Sequence, residues 1–383
     1  MPAEEDVTAM KRAIAILVLL LTTAPALPAR AQEIDLTLPI LVPLTGFVAL
    51  EGTSQRNGAL LALDTAPVRL AHEVIDTAAA PETAVNAFER ALRGGKRVGA
   101  VVAPILGTQM LALLPLAAEA KVPLVTISGT ARLTEAGNPW IFRFFPNDAA
   151  VKIAHARYVA EALGARRPAL LYQTTAYGQS GRQHLVEQLT RLGVAPVYEE
   201  AIAPTARDLA PALTKAMAAR PDVLVLHLHA PSTALAVRQA RALGMALPIV
   251  AGSAMHQPAT AKLLDPAELK DVCAETASSP ISGGSPAIER FAAAYRQRFG
   301  DEPDAFALAQ YDGVMMVLAA VAAGARDAGA VRDHLASNRF DGLAMAYRSD
   351  GAGNMAHDAL IVCYDGAGRV PRIVRRYGGL GAS

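Results

Sequence analysis

Two histidines, His227 and His229, stand one residue apart at the end of the apolar run Val223–Leu228. On a strand, alternate side chains share a face, so both imidazoles point the same way and could act as two ligands of a metal ion. No third ligand follows at a suitable spacing, so imidazoles satisfied in the core or turned toward a bound molecule are the better reading. Ser180 in YGQSGR falls short of a nucleophile elbow, because Arg182 stands where the second glycine belongs. Gly351-Ala-Gly353 connects strand-like segments and opens no helix, which makes it a turn and not the start of a dinucleotide site. There is no phosphate loop either. The sequence carries no catalytic signature and calls for no cofactor and no metal.

The residues that remain are polar loops. Pro104–Gln109, Ser128–Arg132 and Thr174–Gly178 each follow an apolar run and lead into an Ala/Leu-rich stretch. In an open α/β sheet, ligands bind beyond the carboxyl ends of the strands. The free N–H groups and dipole of the following helix favour a carboxylate or another electron-rich group there. Ordinary N-capping by Ser128, Thr130 or Thr108 is the competing explanation for any one loop.

The elements that must position these loops alternate. Strand-like runs fall at Leu36–Leu41, Val98–Ala103, Val122–Ile127, Ala169–Tyr172, Val223–Leu228 and Pro248–Ala251. Helical stretches include Glu82–Arg93, Met110–Ala120, Ala149–Leu163, Gln179–Leu192, Arg207–Ala219 and Thr233–Leu243, several stopped by glycine at Gly164, Gly193 and Gly244. Strands apolar throughout and separated by helices predict parallel sheets covered on both faces. The alternation runs in two groups, Ile34 to about Phe145 and Asp148 to about Ala274, with Arg143-Phe-Phe-Pro-Asn-Asp as a crossover. Two helices follow at Ala287–Phe299 and Phe306–Ala323, and the tail, with two DGAG turns, reads as antiparallel strands.

Length and composition agree with two compact units: 383 residues, 52% hydrophobic. A net charge of +1 gives no reason to expect nucleic acid, which requires a clustered basic face. Lys11-Arg12, the nine apolar residues Ala13–Leu21, and the small-x-small site Ala29-Arg30-Ala31 form a secretory signal peptide over residues 1–31. Nine apolar residues cannot span a bilayer, which takes roughly 20, and no second run reaches that length. The acidic PAEEDV before Met10 is out of place in a signal, leaving Met1 and Met10 as alternative starts. The exported chain then begins near Gln32, is periplasmic and does not span the membrane. Cys273 and Cys363 could pair in an oxidising compartment, but two buried thiols are the expectation.

Several segments, taken in order, are similar to the leucine/isoleucine/valine-binding protein family. They are LPILVPLTGFVALEGTSQRNGALLAL, the stretch from VGAVVAPILGTQM to WIFRFFPND, LLYQTTAYGQSG, RQARALG, FAAAYRQRFGDEPDAFALAQYDGV and FDGLAMAYRSDGAGN. The resemblance covers nearly the whole exported chain. It implies a type I periplasmic-binding fold, α/β, with two doubly wound parallel-sheet lobes joined by a multi-strand hinge. Residues 32–147 plus 277–342 would form lobe one, and 148–276 plus 343–383 lobe two. It also implies a small-molecule ligand held in the cleft and delivered to the permease subunits of an ABC importer. A sensory module signalling through a partner protein is the alternative, and an enzyme on the same fold a third reading without a visible nucleophile–base pair.

The resemblance places ligand residues one by one. Ser128-Gly129-Thr130 matches the loop that holds a ligand carboxylate, and Tyr177 the tyrosine of lobe two. A second carboxylate-binding position falls near Gly107 with Thr108 beside it, the apolar pocket on Ile105 and Leu106, and a second aromatic on His229. Two positions depart from the pattern. Ser253 stands where amino-acid binders carry an acid, which shifts weight from branched-chain amino acids toward amides and small or aromatic carboxylates. Glu51 replaces an aromatic wall residue. It is either the missing counter-charge or a solvated helix-start residue.

Overall fold

Valine- and leucine-rich runs with no polar face need cover on both sides, and the chain supplies it with helices above and below two separate sheets. The computed structural model describes residues 35–381, so the expected signal peptide lies outside the described residues. The first sheet has the order Val74–Asp76, Ile40–Val42, Val101–Val102, Leu124–Thr126, Ile141–Arg143, all parallel. The second runs Tyr198–Ile202, Pro168–Gln173, Val223–His227, Ile249–Ala251, Val272–Thr276, again parallel. It then adds Ala359–Cys363 and Arg372–Tyr377 as antiparallel strands.

In each parallel set the second strand in the chain lies at the edge, the first lies inside it, and the third follows. The strand order therefore reverses between the first and third strands, and the crevice at that reversal is where such sheets bind ligands. The protein is thus a two-lobed type I periplasmic-binding fold of doubly wound sheets. The chain passes between the sheets over residues 144–147, 277–285 and 348–358. The hinge is tied together at Asn354. Its Oδ1 accepts from Arg143 Nε (3.1 Å), Thr134 Oγ1 (3.1 Å) and Asn147 Nδ2 (3.0 Å), joining the first and third passages.

Each sheet has its own core, built around Leu41, Val101, Leu113 and Leu124 in one and around Leu171, Leu224, Val237 and Val272 in the other. Helices Pro286–Phe299 and Ala305–Ala322 return to the first sheet and pack on helix Ala49–Thr65. The approach there is close: a Cβ on Gly58 would lie 2.1 Å from the Ala307 carbonyl oxygen. Helix Ala305–Ala322 corrects one expectation from composition. Its mean hydropathy of 1.6 over 18 residues makes it long and apolar enough to cross a bilayer. However, 78% of it is buried inside the protein, so it is a core helix.

The cysteines correct another. Cys273 and Cys363 are directly opposite on the antiparallel pair Val272–Thr276 and Ala359–Cys363, with Cα atoms 4.0 Å apart, and form a disulfide. They are 90 residues apart in sequence, and only the strand register brings them together. Of the two DGAG turns, the second joins the last two strands as a hairpin. The first closes a tight loop through Arg348 N–H to Met355 O (3.1 Å) and Asp350 N–H to Asn354 O (3.0 Å), and presents Asn354 to the hinge.

Candidate functional site

The carboxyl ends of both sheets face one cavity, with about 490 Å³ of atom-free space including the part open to solvent. Val48, Glu51, Ile105, Leu106, Ile127 and Gly129 line it from the first lobe, and Tyr177, His229, Ser253, Ala254 and Glu275 from the second. Phe145, Pro146, Asp148 and Val151 come from the first passage and the helix after it. Both strand-order reversals therefore open onto the same space.

On the first lobe, the Ser128–Ala131 loop is shaped from behind by Arg143, which is fully buried. Its guanidinium donates to the carbonyl oxygens of Ser128 (3.0 Å) and Thr130 (2.6 Å), to Ala131 O (3.4 Å) and to Thr134 Oγ1 (2.5 Å). Burial lowers the Arg143 pKa to about 10, and Asp148 opposes that drop. With its carbonyls turned back to Arg143, the loop leaves the Ser128 and Thr130 hydroxyls buried and without a protein partner. Gly107 must be glycine here, since a Cβ would lie 2.0 Å from Thr130 Oγ1.

The second lobe presents rings. Tyr177 stacks on His227 at 3.9 Å between centroids and on His229 at 5.2 Å, and Phe47 reaches His229 from the first lobe at 5.3 Å. His227 Nε2 bonds the Tyr177 carbonyl (3.1 Å), and burial drives its pKa well below the usual imidazole value. It is neutral near pH 7, so its 3.8 Å approach to Asp148 is no ion pair. The ring fits because Gly181 carries no side chain; a Cβ there would sit 1.9 Å from Nε2. Among the described residues no cluster of three metal-ligating side chains occurs. His229 lines the cavity, whereas His227 is fully buried against Tyr177.

Beneath the rings lie buried charges. Lys152 and His155 both bond Glu275, the latter at 2.8 Å from Nδ1. Burial works against the Glu275 carboxylate, but Lys152 and His155 outweigh it and hold its pKa below the ordinary value. Asp148 behaves oppositely: burial raises its pKa to about 7, against the pull of Lys152, the Ser180 hydroxyl and Arg143.

The two lobes touch across the cleft. Glu51 Oε1 accepts the Ala230 N–H (2.9 Å) at the start of helix Ala230–Ala242, where the helix dipole favours a carboxylate. Ser180 Oγ accepts the Ala131 N–H (3.0 Å). Beside the cavity, Gln257 Nε2 donates to Ser54 Oγ (3.0 Å) and Asp304 Oδ2 (2.7 Å). These contacts describe a closed arrangement.

Of the residues singled out in the sequence, Glu51, Ile105, Leu106, Gly129, Tyr177, His229 and Ser253 line the cavity. Ser128 and Thr130 lie in the loop around Gly129, whereas Gly107 and Thr108 begin helix Gly107–Ala120 without lining it. Glu51 is 2% exposed, so it is not a solvated helix-start residue. Sequence reasoning missed Asp148, Glu275, Arg143 and Lys152. Asp148 reads as an acidic first-turn residue, and Glu275 interrupts an apolar strand, a signal that could have marked it.

Comparison with known proteins agrees with this architecture. A family model described as periplasmic binding protein matches residues 35–369. The Leu/Ile/Val-binding protein BraC3 of Rhizobium johnstonii is 27% identical over 229 residues, 58% of this chain and 62% of the relative, so the match spans less than two thirds of its length. LivJ of Streptococcus pneumoniae, solved in complex with isoleucine, superimposes with a TM-score of 0.80 at 24% identity, covering 88% of this chain and 99% of its own. A solute binding protein of Rhodopseudomonas palustris BisB5, solved with 3,4-dihydroxy benzoic acid, gives 0.78 at 21% identity, covering 91% and 99%. At these identities the two structures speak for the fold alone. With the family match spanning both lobes and the cleft between them, the chain belongs to the periplasmic binding protein family.

Proposed function

We propose that this protein is the exported receptor of an ABC-type importer, which captures a small organic ligand between its lobes and hands it to the permease subunits. The observation that carries the reading is one cavity at the reversal points of both sheets, lined by Gly129, on either side of which the Ser128 and Thr130 hydroxyls are buried without partners. A carboxylate is a suitable acceptor for two such donors at the start of a helical segment. Ile105, Leu106 and Val48 then take the apolar part of the ligand, and Tyr177 and His229 cover it from the second lobe. Closure is a population shift, driven by contacts the ligand makes to both lobes at once.

In this reading the lobes comprise residues 32–147 plus 277–342 and 148–276 plus 343–383, and the ligand leaves unchanged. Removal of the signal near Ala31 releases the receptor into the periplasm, in keeping with the family to which it belongs. The test is a thermal-shift screen of the protein starting at Gln32 against amino acids, amides, aromatic acids and short organic acids. A true ligand at a hundredfold excess over its dissociation constant should stabilise the fold by about 2.7 kcal/mol. Tyr177→Ala should weaken that ligand, and normal binding by this variant would remove Tyr177 from the cleft. If nothing in the panel binds, the receptor reading fails.

A further inference from the structure

The serine- and glycine-rich stretch Ser278–Pro286, SSPISGGSP, carries the second passage of the chain between the sheets and lines no part of the cleft. Its first half is fastened to the second lobe by a one-way chain of hydrogen bonds. Ser282 Oγ donates to Pro371 O (2.7 Å), which uses its single hydrogen. Ser279 Oγ must then donate to Ser282 Oγ (2.6 Å), and His256 Nε2 to Ser279 Oγ (2.7 Å). Burial keeps this imidazole neutral, with its pKa lowered to about 3. His256 follows strand Ile249–Ala251 and Pro371 precedes strand Arg372–Tyr377, so both anchors belong with the second sheet.

From Ser285 onward the chain belongs to the other lobe. Ser285 Oγ caps helix Pro286–Phe299 through the Ile288 N–H (3.4 Å), and that helix packs on helix Ala49–Thr65. Between the two anchorages stand only Gly283, at φ +83°, and Gly284. A turn of one lobe on the other is taken up there at this passage.

A cavity with about 770 Å³ of atom-free space, counting the part open to solvent, lies over this pivot. Gly283, Gly284 and Ile288 line it from the first-lobe side, Ile373 and Arg376 from the last strand, and Ser278 from the passage itself. None of its lining residues lines the cleft. Two donors in it are uncommitted. Ser278 is 5% exposed, yet its hydroxyl has no hydrogen-bond partner in the protein. Arg372 meets Asp365 at 3.8 Å, whereas Arg376 on the same strand forms no ion pair among the described residues. The one carboxylate in the wall, Asp358, is exposed, and its Oδ1 accepts the Gly379 N–H (2.9 Å).

We infer that this hinge cavity is a second ligand site, for a small organic carboxylate. Its charged group faces the Arg376 guanidinium and accepts the Ser278 hydroxyl, a buried donor that needs a match. Its apolar body lies between Ile288 of one lobe and Ile373 of the other; a bare inorganic anion would leave these walls unfilled. An occupant that touches both lobes in the closed arrangement favours that arrangement. The coupling is reciprocal: the hinge ligand tightens the cleft, and the cleft ligand tightens the hinge site by the same factor. The coupling rests on the receptor reading above, whereas the site itself does not.

The test uses the protein starting at Gln32, with 4-methylpentanoate and 3-phenylpropionate as probes and their amides as controls. Hydrogen exchange read by mass spectrometry should slow threefold or more over residues 281–288 and 372–378 with at least one acid, and not with its amide. Arg376→Ala should remove that protection and Arg376→Lys should keep part of it; the side chain is exposed, so neither variant threatens the fold. Protection that persists in Arg376→Ala comes from closure over the cleft and overturns the site. Equal protection by acid and amide, or none by either acid, overturns it too. For the coupling, a cleft ligand found in the thermal-shift screen is titrated with and without the probe at the concentration that saturates the exchange effect. With the probe, wild type should bind that ligand about fivefold more tightly than Arg376→Ala does, a comparison in which competition within the cleft cancels. Without it the two should bind alike. Equal affinities in the presence of the probe overturn the coupling and leave the site. If the screen yields no cleft ligand, the receptor reading and the coupling fall together, while the exchange result still decides the hinge site.

Discussion

The two walls of the cavity are built on opposite principles. On the first lobe, one buried arginine fixes the Ser128–Ala131 loop through backbone carbonyls, so the donors it presents are set by main-chain geometry. On the second, Tyr177, His227 and His229 form a stack of rings over a buried Lys152–Glu275–His155 cluster, so the surface is set by side chains. A main-chain platform is rigid and reads a small charged group; a stack of rings can shift to cover ligand bodies of different shape. The comparison teaches that the first lobe should decide whether a ligand is captured, and the second how firmly it is enclosed.

The strongest way to break that contrast is Arg143→Met. It leaves the buried Ser128 carbonyl without a donor and takes one donor each from Thr130 O and Asn354 Oδ1, and should destabilise the fold by roughly 3 kcal/mol. Urea unfolding followed by circular dichroism would measure it. A loss under 1 kcal/mol would show that the loop is held by something else.

Acid should separate the lobes next. His155, His227 and His256 are all buried in the second lobe, and burial lowers each of their pKa values, that of His256 to about 3. Below pH 6.5 the unfolded chain binds protons that these folded imidazoles refuse, so stability falls as pH falls. Each contributes up to about 1.4 kcal/mol per pH unit until its folded pKa is reached. Asp148 opposes this trend. Its raised pKa lets the folded state hold an extra proton between about pH 4 and 7, which adds stability as pH drops through that window. Hydrogen exchange at pH 5 should therefore show strands Val223–His227 and Ile249–Ala251 losing protection before Val101–Val102 and Leu124–Thr126. Equal loss in both sheets would contradict the assignment.

Smaller changes sharpen the picture. Thr130→Val removes a hydroxyl that has no protein partner, so it should leave stability within about 0.5 kcal/mol of wild type. It should nevertheless weaken a carboxylate ligand about tenfold, in line with the loss of one hydrogen bond to a charged group. Smallest should be Ser54→Ala, which takes one of the two bonds from the Gln257 contact between the lobes and one of the donors to buried Asp304. A shift of about 1 kcal/mol toward the open form is expected, visible as a larger radius of gyration in X-ray scattering without ligand.

The alternation of elements was legible because the strands it rested on are mostly apolar, and several of the helices end in a glycine stop. Val74–Asp76 and Tyr198–Ile202 escaped it as edge strands carrying polar residues, and helix Ala49–Thr65 because Gly52 and Gly58 break its pattern and little of it is exposed. The loops that border the cavity were readable from their position after apolar runs. Most of the buried charges around it were not. Asp148, Glu275, Lys152 and His155 come from a helix and a strand more than 100 residues apart, and no local spacing marks their meeting. The disulfide was hidden for the same reason: strand register, not sequence spacing, opposes Cys273 and Cys363.

The passage of the chain back and forth between the lobes bears on how the protein is made. Strand Val272–Thr276 is covered on its outer edge only when Ala359–Cys363 arrives, and the first sheet meets its partner helices only after residue 286. The first lobe waits for helices that begin at residue 286, and the second for the last two strands of the chain. Contacts so distant in sequence close slowly. A chain stopped before Ala359 would carry an open, apolar sheet edge and an unmatched Cys273, an aggregation-prone state rather than a smaller receptor.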